Sequence, residues 1–170
     1  MKDPPSMICV GCKMKLYLVQ HADALPESVD PARPLSEQGR ADAGRMAALA
    51  ARLGLEVAQI RHSGKTRAEQ TAAIFGQALK PAGGVVAVAG LGPKDDVRPV
   101  AKALEREAQP VMLVSHLPFL ERLAGLLLAG DPDRPAVQFC KAGIVCLVRE
   151  ADRWRVAWAI TPELTQGWAP

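Results

Sequence analysis

The chain has 170 residues, a formal net charge of +3 at pH 7, and apolar side chains at 49% of positions. That length bounds it to one domain with short appendages, large enough to bury a core. Aromatic residues are scarce, at 4%, so the core is expected to be aliphatic. Lys and Arg are scattered along the chain, which gives no case for a nucleic-acid partner. No apolar run reaches the ~18–20 residues of a membrane span. Residues 1–12 contain Pro4-Pro5 and no sustained apolar stretch, so no signal peptide is read there and a cytoplasmic protein is expected.

Residues 1–13 are expected to be an irregular tail. Cys9 and Cys12 in this tail form a CxxC pair. No second CxxC and no neighbouring His accompanies it, so metal binding or redox chemistry is not expected there. Residues 15–20, a short apolar run, read as a buried strand. Residues 22–35 read as a Pro-rich loop. Ser36 is a candidate N-cap, with Glu37 in the first turn. The helix then runs to about Leu53, with Met46, Leu49 and Leu53 on one face and Gly54 as the stop. A strand over 57–61 leads into Ser63-Gly64 and a helix over 65–79, which offers Ala68, Ala72, Ile74, Phe75 and Leu79 for packing.

A third strand is expected over 85–89. Asp95 or Asp96 is placed to cap a helix over 97–107. Residues 110–115 form an almost unbroken apolar run, as expected of a strand covered on both faces. Pro118 suits the first turn of a helix reaching Leu128. Strands over 143–149 and 154–160 read as a hairpin, and the tail after Pro162 as irregular. Strands alternating with helices describe an α/β fold, a three-layer α/β/α sandwich with a mainly parallel sheet. One domain is expected over 14–162, with tails at 1–13 and 163–170.

Two of the three histidines stand where a strand hands over to a helix or loop. His21 closes Leu18-Val19-Gln20-His21, and His116 closes Leu113-Val114-Ser115-His116. Ligands bind open α/β sheets at the carboxyl ends of strands, beside helix N-termini. Arg67 falls in the first turn of the helix after another strand, 57–61, where a guanidinium can fork onto phosphate oxygens. Each has a plainer reading: a packed core histidine, or a surface Arg paired to Glu69. Their coincidence at three strand ends favours a phosphate or carboxylate site containing a nitrogen nucleophile.

Four stretches together resemble the histidine phosphatase superfamily, whose fold is phosphoglycerate-mutase-like, and most of all its small SixA-type phosphohistidine phosphatase branch. They are residues 16–23, Arg33-Pro34-Leu35-Ser36-Glu37-Gln38-Gly39, residues 63–71, and Val114-Ser115-His116-Leu117-Pro118. The resemblance covers residues 14 to about 160. It implies that His21 takes up a phosphoryl group while Arg67 and His116 hold its oxygens, without metal or other cofactor. It also implies a phosphorylated protein of the histidine-phosphotransfer type as partner. A neutral imidazole attacks phosphorus well when its other nitrogen is held as a donor. His116 beside phosphate is expected to be cationic, because an adjacent anion raises a histidine pKa.

One departure stands out. The family's first motif is Arg-His-Gly, whereas this chain has Gln20-His21-Ala22. Gln20 offers a neutral amide to the phosphate where an Arg would bring a full charge. Three consequences are open: compensation by Arg33, Lys65 or His62; a different substrate, such as a small phosphate ester; or a phosphate-binding regulatory module without turnover. Arg33 is the preferred additional phosphate-binding cation, and His62 is more simply a bystander. Asp95 or Asp96 is a candidate general acid, and either is equally a helix cap. An imidazole leaving group lessens the need for one.

Overall fold

The computed structural model describes residues 14–167. Its elements are β1 (Met14–Gln20), α1 (Glu37–Arg52), β2 (Gln59–His62), α2 (Thr66–Leu79), β3 (Val85–Ala87), α3 (Arg98–Leu104), β4 (Val111–Ser115), α4 (Phe119–Ala129), β5 (Ile144–Glu150) and β6 (Arg153–Ile160). They form one six-stranded sheet in the order β3-β2-β4-β1-β5-β6. β1 to β4 run parallel, and β5 and β6 add antiparallel at one edge. The chain steps outward from β1 to β3, then returns to lay β4 between β2 and β1. That return makes β1 and β4 neighbours and sets Gln20 beside Ser115. The residues that follow, His21 and His116, therefore leave the sheet side by side.

Successive strand side chains point to opposite faces, and the core divides accordingly. Tyr17, Val19, Met112, Val114, Ile144 and Cys146 pack under α1 and α2 with Met46, Ala47, Ala68 and Phe75. Leu16, Leu18, Val111, Leu113, Val145 and Leu147 pack under α3 and α4 with Leu104, Leu120 and Leu123. All five residues of β4 are buried, as a parallel strand covered on both faces requires. The fold is thus an α/β/α sandwich with helices on both sides of a mostly parallel sheet.

α1 begins as its sequence predicts. Ser36 has extended backbone, and its hydroxyl accepts the Gly39 N–H at 3.0 Å, which satisfies a donor the helix leaves free. Gly39 is required there for a second reason. A Cβ at this position would lie 2.0 Å from the Asp23 carbonyl oxygen. The helix start therefore rests directly on the loop that follows His21.

Several boundaries differ from expectation. The β2 ladder starts at Gln59, leaving Val57 buried just before it. β3 ends at Ala87, short of residue 89. α3 stops at Leu104 rather than 107 because Arg149 of β5 captures its end. The guanidinium donates to the carbonyls of Leu104, Glu105 and Glu107 at 2.9, 2.5 and 2.9 Å and stacks on Trp154. Leu53 is exposed, since α1 ends at Arg52 and Leu55 packs against the core in its place. The segment after the last strand is not irregular. Pro162–Thr165 makes a 3₁₀ turn against α1, with Thr165 buried and its hydroxyl donating to the Pro162 carbonyl at 2.6 Å. Cys9, Cys12 and the tail expected over 1–13 lie outside the described residues.

Candidate active site

His21 is nine-tenths buried at the end of β1. Its main-chain N–H continues the ladder to the Ser115 carbonyl at 3.0 Å. The ring Nδ1 lies 2.7 Å from the Ala22 carbonyl. A carbonyl only accepts, so Nδ1 carries the proton and Nε2 keeps its lone pair. Arg67 Nε donates to that Nε2 at 3.2 Å. The guanidinium, on the first turn of α2, is thereby placed against that nitrogen.

α2 is fixed to the same loop one turn further on. The Thr71 hydroxyl donates to the Arg67 carbonyl at 2.7 Å and accepts the Ala22 N–H at 3.0 Å. Gln70 Oε1 accepts the Leu35 N–H at 2.8 Å. The Arg, Gln and Thr of the 63–71 stretch thus all act across elements, Arg67 on His21, Gln70 on the Leu35 loop and Thr71 on Ala22.

His116 follows β4, and its ring centroid is 5.0 Å from that of His21. Its Nε2 is 2.6 Å from the Ser63 hydroxyl. Its Nδ1 is buried and has no partner among the described residues. Burial lowers the His21 pKa to about 4, with further depression by the charges of Arg67, Lys141 and Arg33. Burial again leads for His116, lowered to about 3, helped by His21, Arg67, Lys65 and Arg33. Both rings are therefore neutral at pH 7. An anion between them would oppose this field and raise the His116 pKa.

The remaining residues singled out in the sequence divide into two groups. Arg33, at φ 49°, holds its Nε 3.3 Å from the Leu25 carbonyl while its charge acts on both histidines and Arg67. Lys65 acts on His116. Gln20 closes β1 with its side-chain oxygen buried and unpartnered among the described residues. His62, in contrast, accepts the Gly64 N–H on Nδ1 at 3.2 Å. That bond shapes the turn carrying Ser63. Asp95 accepts the Gly92 N–H at 2.7 Å, and Asp96 accepts from the Arg98 main chain and guanidinium at 3.1 and 3.2 Å. The bonds of these two carboxylates are local, and none joins them to His21, His116 or Arg67. Their loop does reach β4, because Ser115 Oγ donates to the Leu91 carbonyl at 2.6 Å.

Sequence reasoning missed Lys141, Thr71 and Ser63. Lys141 pairs with Asp23 at 2.6 Å, and its backbone bridges to Gln20. The Ser63 and Thr71 hydroxyls lie inside a motif already noted, so their spacing from Arg67 was available as a signal. Lys141 carried none. Among the described residues, no three His, Cys, Asp or Glu side chains gather as a metal site. No helix among them is long and apolar enough to cross a membrane.

Solved members of the histidine phosphatase superfamily, whose fold is phosphoglycerate-mutase-like, share this architecture. Solved SixA phosphohistidine phosphatases are among the structures it matches. The protein histidine phosphatase SixA complexed with tungstate is 25% identical with a TM-score of 0.78, covering 89% of this chain and 99% of its own. A chain from Agrobacterium tumefaciens assigned to the SixA phosphohistidine phosphatases is 26% identical with a TM-score of 0.71, covering 87% and 97%. A mycobacterial glucosyl-3-phosphoglycerate phosphatase complexed with VO3 shares the fold at 18% identity and a TM-score of 0.68, over 85% and 97%. No protein-family model and no curated protein matches the chain. The SixA likeness supports phosphatase activity of the superfamily kind.

Proposed function

We propose that residues 14–162 form a phosphatase domain that hydrolyses phosphohistidine on a protein partner through a covalent phosphohistidine at His21. The observation that carries this reading is the polarity of the His21 ring. Its Nδ1 proton is committed to the Ala22 carbonyl, while Nε2 faces Arg67. In the first step Nε2 bonds to phosphorus and the bond to the substrate's imidazole nitrogen breaks. The departing imidazole takes up a proton from solvent. In the second step water attacks phosphorus, the bond to Nε2 breaks, and inorganic phosphate leaves with neutral His21 restored.

The transferring group carries charge on its equatorial oxygens, so catalysis is mainly positioning and cationic stabilisation. Arg67 supplies charge-assisted bonds. His116, whose ring centroid is 5.0 Å from that of His21, supplies a further donor, and gains a proton more readily once phosphate is beside it. Imidazole leaves more easily than an alkoxide, so a general acid is dispensable. This agrees with the local commitments of Asp95 and Asp96.

A rapid-quench experiment with a ³²P-phosphohistidine protein tests the proposal. Label is expected on His21 and then as free phosphate. Turnover of small phosphate esters alone would replace this reading with a small-molecule phosphomonoesterase. Phosphate or sulfate binding without labelling would make the protein a phosphate-binding regulatory module.

A further inference from the structure

We propose that Lys141 is a movable phosphate-binding cation, held on Asp23 until a phosphoryl group reaches His21. This rests on His21 being the phosphoryl acceptor. Lys141 lies 118 residues from Asp23 in sequence, yet the fold sets it at the end of β1. Its backbone bridges to Gln20, and the next residue, Ala142, donates its N–H to the Gln20 carbonyl at 3.0 Å. The lysine is therefore anchored beside the residue that precedes His21.

The two partners of the ion pair are held very differently. Asp23 is fixed. Its second oxygen accepts the Ser36 hydroxyl at 2.6 Å, its carbonyl accepts the Ser36 N–H at 3.0 Å, and α1 closes over it at Gly39. Lys141 Nζ has its bond to Asp23 at the end of a flexible four-carbon stem. The side chains are 55% and 38% exposed for Lys141 and Asp23, so the pair is solvated and weakly held.

A phosphoryl group carries more negative charge than one carboxylate and would draw the ammonium away. The neighbouring Gln20 brings no charge to that end of β1. The lysine already acts electrostatically on His21, whose pKa it helps to depress.

Lys141→Met, Lys141→Arg, Asp23→Asn and the Asp23→Asn/Lys141→Met double variant test the proposal. Calorimetric binding of inorganic phosphate and orthovanadate is the readout, beside labelling of His21. Lys141→Met is expected to weaken anion binding by about tenfold, the scale of one charge-assisted bond. Lys141→Arg should restore most of it. Asp23→Asn keeps the shape and frees the lysine, so binding should tighten, and the double variant should fall back to the level of Lys141→Met. A pair that only ties two loops together would be broken alike by Lys141→Met and Asp23→Asn, and both would then shift binding the same way. That result, an unchanged Lys141→Met, or a double variant that keeps the Asp23→Asn gain would overturn the proposal. If the wild-type chain binds neither anion, the phosphoryl-site reading falls and this role falls with it. Wild-type binding with indifferent Lys141 variants removes the lysine alone.

Discussion

The ends of β1 and β3 both open onto loops rich in charge, yet they spend it differently. After β1, polar side chains reach across the fold: Arg67 to His21, Ser36 to Asp23, Lys141 to Asp23, with sequence separations of 46, 13 and 118. After β3, Asp95 and Asp96 bond to groups three and two residues away. Local bonds of that kind shape a turn. Long-range ones cost the ordering of separate elements, and they gather where one point must be surrounded. The span of a polar contact, more than its charge, separates the loop after β1 from the loop after β3.

Substitutions at the two loops test this contrast. His21→Ala removes the proposed nucleophile and should lower turnover by at least about 10³-fold, with single-turnover labelling as the check. Arg67→Ala should cost about a hundredfold in kcat/KM, as expected when a half-buried charge-assisted contact is lost. Gly39→Ala drives a methyl group into the Asp23 carbonyl. It should cost ~2 kcal/mol in urea unfolding, typical of overpacking, and weaken phosphate binding as the loop shifts.

The pH profile sharpens the comparison further. With its pKa lowered to about 4, His21 stays unprotonated well into acid. The acidic limb of kcat/KM attributable to this group should therefore fall near pH 4, where an unperturbed histidine would give about 6.5. Stability runs with the same sign. The unfolded chain takes up protons first, so the contribution of His21 and His116 is intact above pH 6.5 and declines as pH falls toward their folded values. The smallest effect belongs to the β3 loop. Asp95→Asn and Asp96→Asn should each change stability by under about 1 kcal/mol and leave any phosphatase turnover nearly unaltered.

Much of this was legible in the sequence, for identifiable reasons. Apolar runs marked β1 and β4, and Ser36 marked the start of α1. A histidine at each of two strand ends pointed to one site, because parallel strands align their carboxyl ends. What escaped was set by partners distant in the chain. Lys141 is an ordinary surface lysine until β5 carries the preceding segment to Gln20. The early end of α3 depends on Arg149, which no pattern within 97–107 announces. Thr165 is buried only because the 3₁₀ turn meets α1.

Arg149 has a consequence for how such a protein could diversify. It staples the far end of α3, while Ser115 pins the loop before that helix at Leu91. The stretch between is clamped on both sides and bonded mostly to itself. Within it Val97, Ala101 and Leu104 are buried in the core, so tolerance to exchange is confined to the exposed tip at Lys94, Asp95 and Asp96, where a change would be absorbed before it reached the two histidines.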